Sequence, residues 1–408
     1  MKTTLITTIV FFLFLVQSLT SFIPIREGNG WRGPERNGKI DNFILPEQWP
    51  GLLTQLWQTP VGLGDASPVF VEGKLYLHTL EGDSEVALCI DGTSGSILWK
   101  EINNPAPEIT GGASSHPGPR STPAVASGKV YNLGAGGHLT CRDANSGKLI
   151  WETSAYTSEV PQFFVGCSPL IEKGMVIVHL NGRENGTVVA FQGESGSEIW
   201  NLKGEATTYS SPVIMKAYDD MMVIQGETDL IGVSISKGNL LWKFPTPSAT
   251  RFYNSSTPVV DGTVVYIAGQ GTGIRAIRVL QENGTYRVEE IWHNPAVGVS
   301  FNTPVLRDGH LYGNEARFGS IFCVNALSGE ISWSDTVKYN RFASMLDLGP
   351  VMVTLPATGQ LIFFKPQPDT FNQVIGYKVA ESEVYAHPVI EGRRIFVKDK
   401  EHLTCWQL

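Results

Sequence analysis

The chain has 408 residues, 31 of them basic and 39 acidic, so it carries a net charge of −8. It contains no Lys/Arg-rich run, which excludes the basic surface that nucleic acid requires. Only 17% of residues are charged while 43 are glycine, a balance that suits one large turn-rich β domain.

At the start, Lys2 is followed by an apolar run from Leu5 to Val16 and then by Ser18 and Thr20. Residues 1–20 read as a secretory signal peptide cleaved between about residues 18 and 22. The apolar core is short for a membrane span, and no cysteine stands near the cleavage zone to carry a lipid. The expectation is a secreted or periplasmic protein with no span after cleavage. Residues 21–55 are rich in Gly and Pro and hold Trp31 and Trp49. They read as an extended strap laid on the body, because two indoles are costly to leave in water.

From residue 56 onward the chain repeats itself. Five pairs share one spacing, Gly four residues before Trp: Gly95 and Trp99, Gly147 and Trp151, Gly196 and Trp200, Gly238 and Trp242, Gly329 and Trp333. Looser copies end in Trp57, Trp292 and Tyr377, and the eight aromatic markers step by 42, 52, 49, 42, 50, 41 and 44 residues. Segments such as Asp91-Gly92-Thr93-Ser94-Gly95 are hairpin turns, in which Asp bonds the backbone ahead and Gly takes the left-handed conformation. The flanking residues suit strands. The recurring Trp is expected to end an outer strand and pack between neighbouring units, burying roughly 150–250 Å².

A second marker opens each unit, as Ser67-Pro68, Thr122-Pro123, Ser168-Pro169, Ser211-Pro212, Thr257-Pro258 and Thr303-Pro304, with Ser344-Met345 and His387-Pro388 as degenerate copies. Proline lacks a donor and so fits the first residue of a strand. Eight openings and eight aromatic endings predict an all-β, eight-bladed β-propeller. The last opening has no outer strand of its own, whereas Leu56-Trp57-Gln58 precedes any opening. The N-terminal strand is therefore expected to complete the last blade over residues 56–408 and close the ring.

Four of the five cysteines, Cys89, Cys141, Cys323 and Cys405, occupy one repeat position, read as shared with Phe191 and Val233 in the third and fourth repeats. Equivalent residues in separate blades read as small core hydrophobes, not bridges. No Cys-x-x-Cys or His-x-x-x-His pattern signals a metal.

The phrase Asp-x-x-Ser-Gly-x-x-x-Trp resembles the tryptophan-docking motif of pyrroloquinoline quinone (PQQ)-type propellers. These include quinoprotein dehydrogenases and the propeller lipoprotein of outer-membrane assembly. The segment Trp31-Arg32-Gly33-Pro34-Glu35-Arg36-Asn37-Gly38 is similar to the opening of secreted PQQ-like repeat proteins of planctomycetes and related bacteria. The resemblance covers about residues 30–408 and implies a quinoprotein-type fold. For function it leaves enzyme and binding scaffold both open. Quinoprotein dehydrogenases hold PQQ and Ca²⁺ on the channel axis, with an Asp as base, and many carry a Cys-Cys disulfide. This chain has no Cys-Cys dipeptide and no haem-attachment Cys-x-x-Cys-His.

The loops before each opening marker converge on one end of the axis. They carry His116, Arg120, Tyr209, Arg251, Asn254, Asn302, Arg341 and His387, together with Gln162, Phe163, Phe164, Phe252, Tyr253, Phe301, Phe342 and Tyr385. Arg, Asn, His and aromatics around a funnel suit a small anionic or sugar-like ligand or a peptide, and fixed guanidinium forks suit carboxylate or phosphate. Asp65 stands at the same rim as a candidate base, although Asp is also a common turn residue. No catalytic residue and no metal ligand is assigned, and no cofactor is required by the sequence. The sequence-based reading is a monomeric binding or scaffolding module of the cell envelope. Its alternative is a PQQ- and Ca-dependent oxidoreductase acting on an alcohol or sugar.

Overall fold

The computed structural model describes residues 29–108, 111–161, 163–182, 184–249 and 253–408. The signal-peptide expectation for residues 1–20, and the positions Gln162, Arg251 and Phe252, lie outside them.

Each opening marker leads into an inner strand, and three hairpin turns carry the chain outward. Blade 1 is Val69–Val71, Lys74–Glu81, Ser84–Asp91 and Ile97–Pro105, paired antiparallel in that order. The same meander recurs in blades 2 to 7, over residues 124–153, 170–203, 213–245, 259–294, 305–334 and 343–378. Blade 8 takes three strands from residues 389–407 and its outermost strand, Thr54–Pro60, from the other end of the chain, with Trp57 opposite Cys405. The protein is thus an all-β, eight-bladed propeller in a closed ring. Closure pairs an edge that would otherwise be free.

The seams between blades are apolar layers. Between blades 2 and 3, for example, Tyr131, Leu133 and Cys141 pack on Val176, Val178 and Phe191. Every outer strand carries a one-residue bulge, which in seven blades falls immediately before the recurring Trp. A bulge re-aims the side chain that follows it. Here it sends the indole across the seam onto the next blade's turn. A Cβ on Gly95, Gly147, Gly196 or Gly238 would stand 2.6, 2.8, 2.6 or 2.3 Å from the ring of Trp57, Trp99, Trp151 or Trp200. Indole nitrogens then donate to that blade's carbonyls, Trp99 to Ala144 at 3.0 Å, Trp151 to Gly193 at 2.8 Å and Trp333 to Gln367 at 2.9 Å. The Trp does not end its strand, since β structure continues to Pro105 beyond Trp99.

Two register readings are corrected by the ladders. The residue opposite each Trp is Cys89, Cys141, Ala190, Gly232, Ala276, Cys323 or Cys405, so Ala190 and Gly232 hold the slot expected for Phe191 and Val233. All are small because the indole needs the room; a Cβ on Gly232 would lie 2.1 Å from Trp242. The five cysteines are buried free thiols. In blade 7, Ile375 stands opposite Phe363, and Tyr377 falls two residues further on. The turn there closes from Lys365 to Asn372, longer than that from Asp91 to Ser96, which displaced the count. The blade 7 opening stands at Ser344-Met345, because Leu346 pairs through Val353 with Phe363 opposite Ile375, the ladder position that Val305 holds through Tyr312 and Cys323 opposite Trp333.

That last register exposes a ring of hydrogen bonds around the axis. Backbone N–H groups of Ser67, Thr122, Ser168, Ser211 and Thr257 donate to the hydroxyls of Thr122, Ser168, Ser211, Thr257 and Thr303, at 2.9–3.1 Å. His387 N–H donates to Ser67 Oγ at 2.8 Å. Each opening Ser or Thr therefore staples its blade to the one before. The ring breaks at blade 7, where the buried Ser344 Oγ has no hydrogen-bond partner among the described residues.

Residues 29–53 lie across the end of the axis toward which the inner strands run. Asn29 bridges to Val125 and Lys39 to Asp347, while Ile44 N–H donates to Gly392 at 3.1 Å. Arg32 donates to Pro304 O at 3.0 Å, and Arg36 to Pro169 O and Ser168 O at 2.7 and 2.8 Å. Further on, Trp49 packs on Phe363 with ring centroids 4.8 Å apart.

Candidate functional site

At the other end of the axis the loops before the opening markers enclose a cavity of about 530 Å³. Its floor holds Trp31, set edge-on to His387 at 5.5 Å, so segment 29–53 turns the channel into a blind funnel. The staple residues Ser67, Thr122, Ser168, Ser211 and Thr303 line the lower wall.

The upper wall is aromatic. His116, Tyr385, Phe342, Phe301, Tyr209, Tyr253 and Phe163 form a continuous chain of ring contacts with centroids 4.5–5.9 Å apart. Tyr209 is seated because Gly166 has no Cβ, which would fall 2.6 Å from its ring, and its hydroxyl donates to Phe163 O at 2.7 Å. Phe301 is 42% exposed, an unusual position for a phenylalanine.

Two guanidiniums punctuate this wall. Arg120 stands 4.9 Å from the Phe164 ring and 5.7 Å from the Tyr209 ring, and donates to His116 O at 2.8 Å and Gly118 O at 3.2 Å. Arg341 stands 5.0 Å from Phe342. Among the described residues neither pairs with a carboxylate. Ring contacts and two carbonyls hold the Arg120 fork, and the Phe342 ring holds that of Arg341, leaving both charges uncompensated. Among the described residues Asp65 is the one carboxylate in the lining, and its Oδ2 lies 3.0 Å from His116 Nδ1. That bond raises the His116 pKa above its ordinary value. It also orients the ring, leaving Nε2 as the nitrogen free to meet a ligand. Burial, with Arg32 nearby, pushes His387 down to about 3, so this ring is neutral.

The cavity therefore brings together His116, Arg120, Tyr209, Asn302, Arg341 and His387. Asn302 lines it with its amide already engaged, donating to Asn314 O at 3.0 Å. Asn254 is placed elsewhere; its amide donates to Gly226 O, Glu227 O and Thr246 O and ties two loops together. Arg251 lies outside the described residues. Sequence reasoning missed Trp31 as the floor and the Arg32 and Arg36 anchors. The signal was present in Trp31-Arg32-Gly33-Pro34-Glu35-Arg36, whose two arginines sit in a segment without strand pattern.

An eight-bladed ring, a bulged outer strand under each recurring aromatic, and a blind axial funnel define a PQQ-repeat propeller. The chain belongs to the family described as outer membrane protein assembly factor BamB, which matches residues 82–335. It is 29% identical over 358 residues to the dehydrogenase subunit of alcohol dehydrogenase (quinone) from Gluconacetobacter polyoxogenes, covering 76% of this chain and 44% of that protein. It is 21% identical over 310 residues to outer membrane protein assembly factor BamB of Yersinia pestis, covering 71% of each. Among solved structures, BamB from Moraxella catarrhalis superposes with a TM-score of 0.65 at 16% identity, over 88% of this chain and 100% of that one. The chain spans less than half the length of the quinoprotein relatives it matches. Among the described residues no helix is long and apolar enough to cross a membrane.

Proposed function

We propose that this protein is a secreted or periplasmic binding module of the cell envelope, whose ligand enters the axial funnel. The observation that carries this reading is the pair Arg120 and Arg341, held on aromatic faces in a cavity of about 530 Å³ with no carboxylate partner among the described residues. Arg120, half-buried without counter-charge, carries a desolvation cost that an arriving anion offsets, and Arg341 adds an exposed charge at the same wall. The ring wall from Tyr209 to Phe342 offers flat apolar faces beside them. The combination suits a small anionic or sugar-like ligand, or an acidic side chain presented by an envelope protein. The family description and the Yersinia relative, both named for outer-membrane assembly, favour the protein partner.

The second reading is a PQQ- and Ca-dependent oxidoreductase, favoured by the 29% identity to a quinone alcohol dehydrogenase. The calcium half does not fit. Calcium takes six to eight oxygen ligands. Among the described residues this funnel offers the single carboxylate of Asp65, already bonded to His116, and an Asn302 Oδ1 that faces Asn314 N–H at 3.5 Å. Among the described residues no group of three or more His, Cys, Asp or Glu could hold a metal.

The deciding experiment is calorimetric titration of the purified protein with PQQ, with and without Ca²⁺, alongside mono- and dicarboxylates, sugars and acidic peptides. Each is repeated on Arg120→Ala and Arg341→Ala, and dye-linked oxidation of an alcohol and sugar panel follows. Binding of an anionic ligand that both variants weaken, without turnover, is the expected result. Calcium-dependent PQQ binding with turnover would overturn it.

A further inference from the structure

The opposite face of the ring carries a second cavity, of about 300 Å³, between residues 32–39 and the inner strands of blades 4 to 6. Its two sides differ in chemistry. On one side stand Arg32, Arg36 and Lys39, with Lys216 across the gap; the carboxylates are Glu35, which pairs with Lys216, and Asp261. Four cationic side chains thus face two acids. Arg32 and Arg36 are 5% and 8% exposed, and neither meets a carboxylate of a described residue. Their guanidiniums donate to backbone carbonyls only, and each leaves a buried Nε–H without a partner. Burial lowers their pKa values to about 9 and about 10, so both remain charged at neutral pH. The other side is apolar: Val213, Ile214, Val259, Val260 and Leu306, most of them half-exposed in spite of their type.

Two buried cations without counter-charge are unusual in a folded protein. An apolar wall lining the same cavity makes a purely hydrophilic ion a poor match. We propose that this groove binds an anionic amphiphile, with a carboxylate or phosphate head on Arg36 and Lys39 and a short hydrocarbon tail on the Val213–Val260 wall. At roughly 30 Å³ per water-sized group the cavity holds about ten such groups, enough for a head and a tail of medium length. This site goes beyond the funnel reading and does not depend on it, because segment 29–53 separates the two cavities. Trp31 lies next to Arg32, whose guanidinium is 5.4 Å from its ring, and so reports on the segment's position.

The test uses octanoate and octyl phosphate as probes, with octanol and inorganic phosphate as controls, read by calorimetry and tryptophan fluorescence. Both amphiphiles are expected to bind the wild-type protein and neither control to match them; the tighter of the two identifies the head. Arg36→Gln should weaken binding about tenfold or more, the loss of a hydrogen bond to a charged group. Lys39→Gln should weaken it about threefold. Lys39 is exposed, so this variant serves even where Arg36→Gln fails to fold. Arg120→Ala, in the funnel, should leave unchanged the component of binding that Arg36→Gln and Lys39→Gln weaken. Equal binding of octanol points to the apolar wall alone, and equal binding of phosphate to the charges alone; either overturns the proposal. So does loss of binding in Arg120→Ala with retention in Lys39→Gln, which would assign the probe to the funnel.

Discussion

At the rim, Trp57, Trp99, Trp151 and Trp200 meet the following blade in one way, ring on a left-handed glycine and, in the last three, indole N–H on a carbonyl at 3.0 Å or less. At the axis no two blades present the same pair of side chains to the funnel. Arg120 comes from blade 2, Tyr209 from blade 4, Phe301 from blade 6 and Arg341 from blade 7. The rim repeats because every seam solves the same packing problem. The axis diverges because its residues face a shared space and owe nothing to seam geometry. Stability should therefore be concentrated at the rim and ligand recognition at the axis.

The largest test of this division is Trp99→Ala, which empties a seam beside Tyr76 and Cys89. It should cost about 4 kcal/mol in a urea titration, the usual range for a buried Trp. Trp31 at the axis, lacking a seam, should cost clearly less on the same substitution; equal losses would erase the contrast.

The seam of blades 1 and 2 adds a pH signature. Glu85 is buried there, accepting from Ala135 N–H at 2.8 Å and from Asn104 at 3.0 Å, and burial raises its pKa from 4.5 to about 7. Between these values the folded protein keeps a proton that the unfolded chain releases. Glu85 therefore contributes stability that is fully present below pH 4.5 and is lost as pH rises through about 7. Glu85→Gln should gain on the wild type by roughly 3 kcal/mol between pH 4.5 and 8. Buried His78, whose pKa is pushed down to about 3, acts in the opposite sense in both proteins and cancels in the difference. A pH-independent difference would show Glu85 to be ionised throughout.

Smaller effects separate the blades. Trp151→Phe should lose about 1 kcal/mol with its hydrogen bond to Gly193. Trp242→Phe should lose less, because that indole N–H meets the Met221 sulfur in its own blade at 3.2 Å. Smallest of all on stability is Arg341→Gln, an exposed residue whose replacement should leave the thermal midpoint unchanged while weakening anion binding. That binding should also decline as pH rises through the raised His116 pKa, where one positive charge is lost.

The eight blades, the closure by Leu56–Gln58 and the seam residues were legible because turn chemistry and the Gly-x-x-x-Trp spacing are local and recur. Where locality failed, so did the count. The longer turn of blade 7 hid Ile375 behind Tyr377. The staple ring was written in the sequence as Ser/Thr-Pro, but its hydrogen bonds join residues about 43–55 positions apart along the chain, and 320 at the closure. Asn254 could be placed near the axis by its loop, but only the fold determined that its amide is used up on three carbonyls.

By itself the sequence determined the number of sheets, their order and the way each seam is filled, since a repeating pattern of short-range contacts leaves little freedom. Only the tertiary structure decided what the axis contains. Trp31, Arg32 and Arg36 belong to no repeat, and which end of the channel they seal depends on carbonyls more than 130 residues away. A cavity formed where eight loops converge is a property of their positions in space, and no single stretch of chain encodes it.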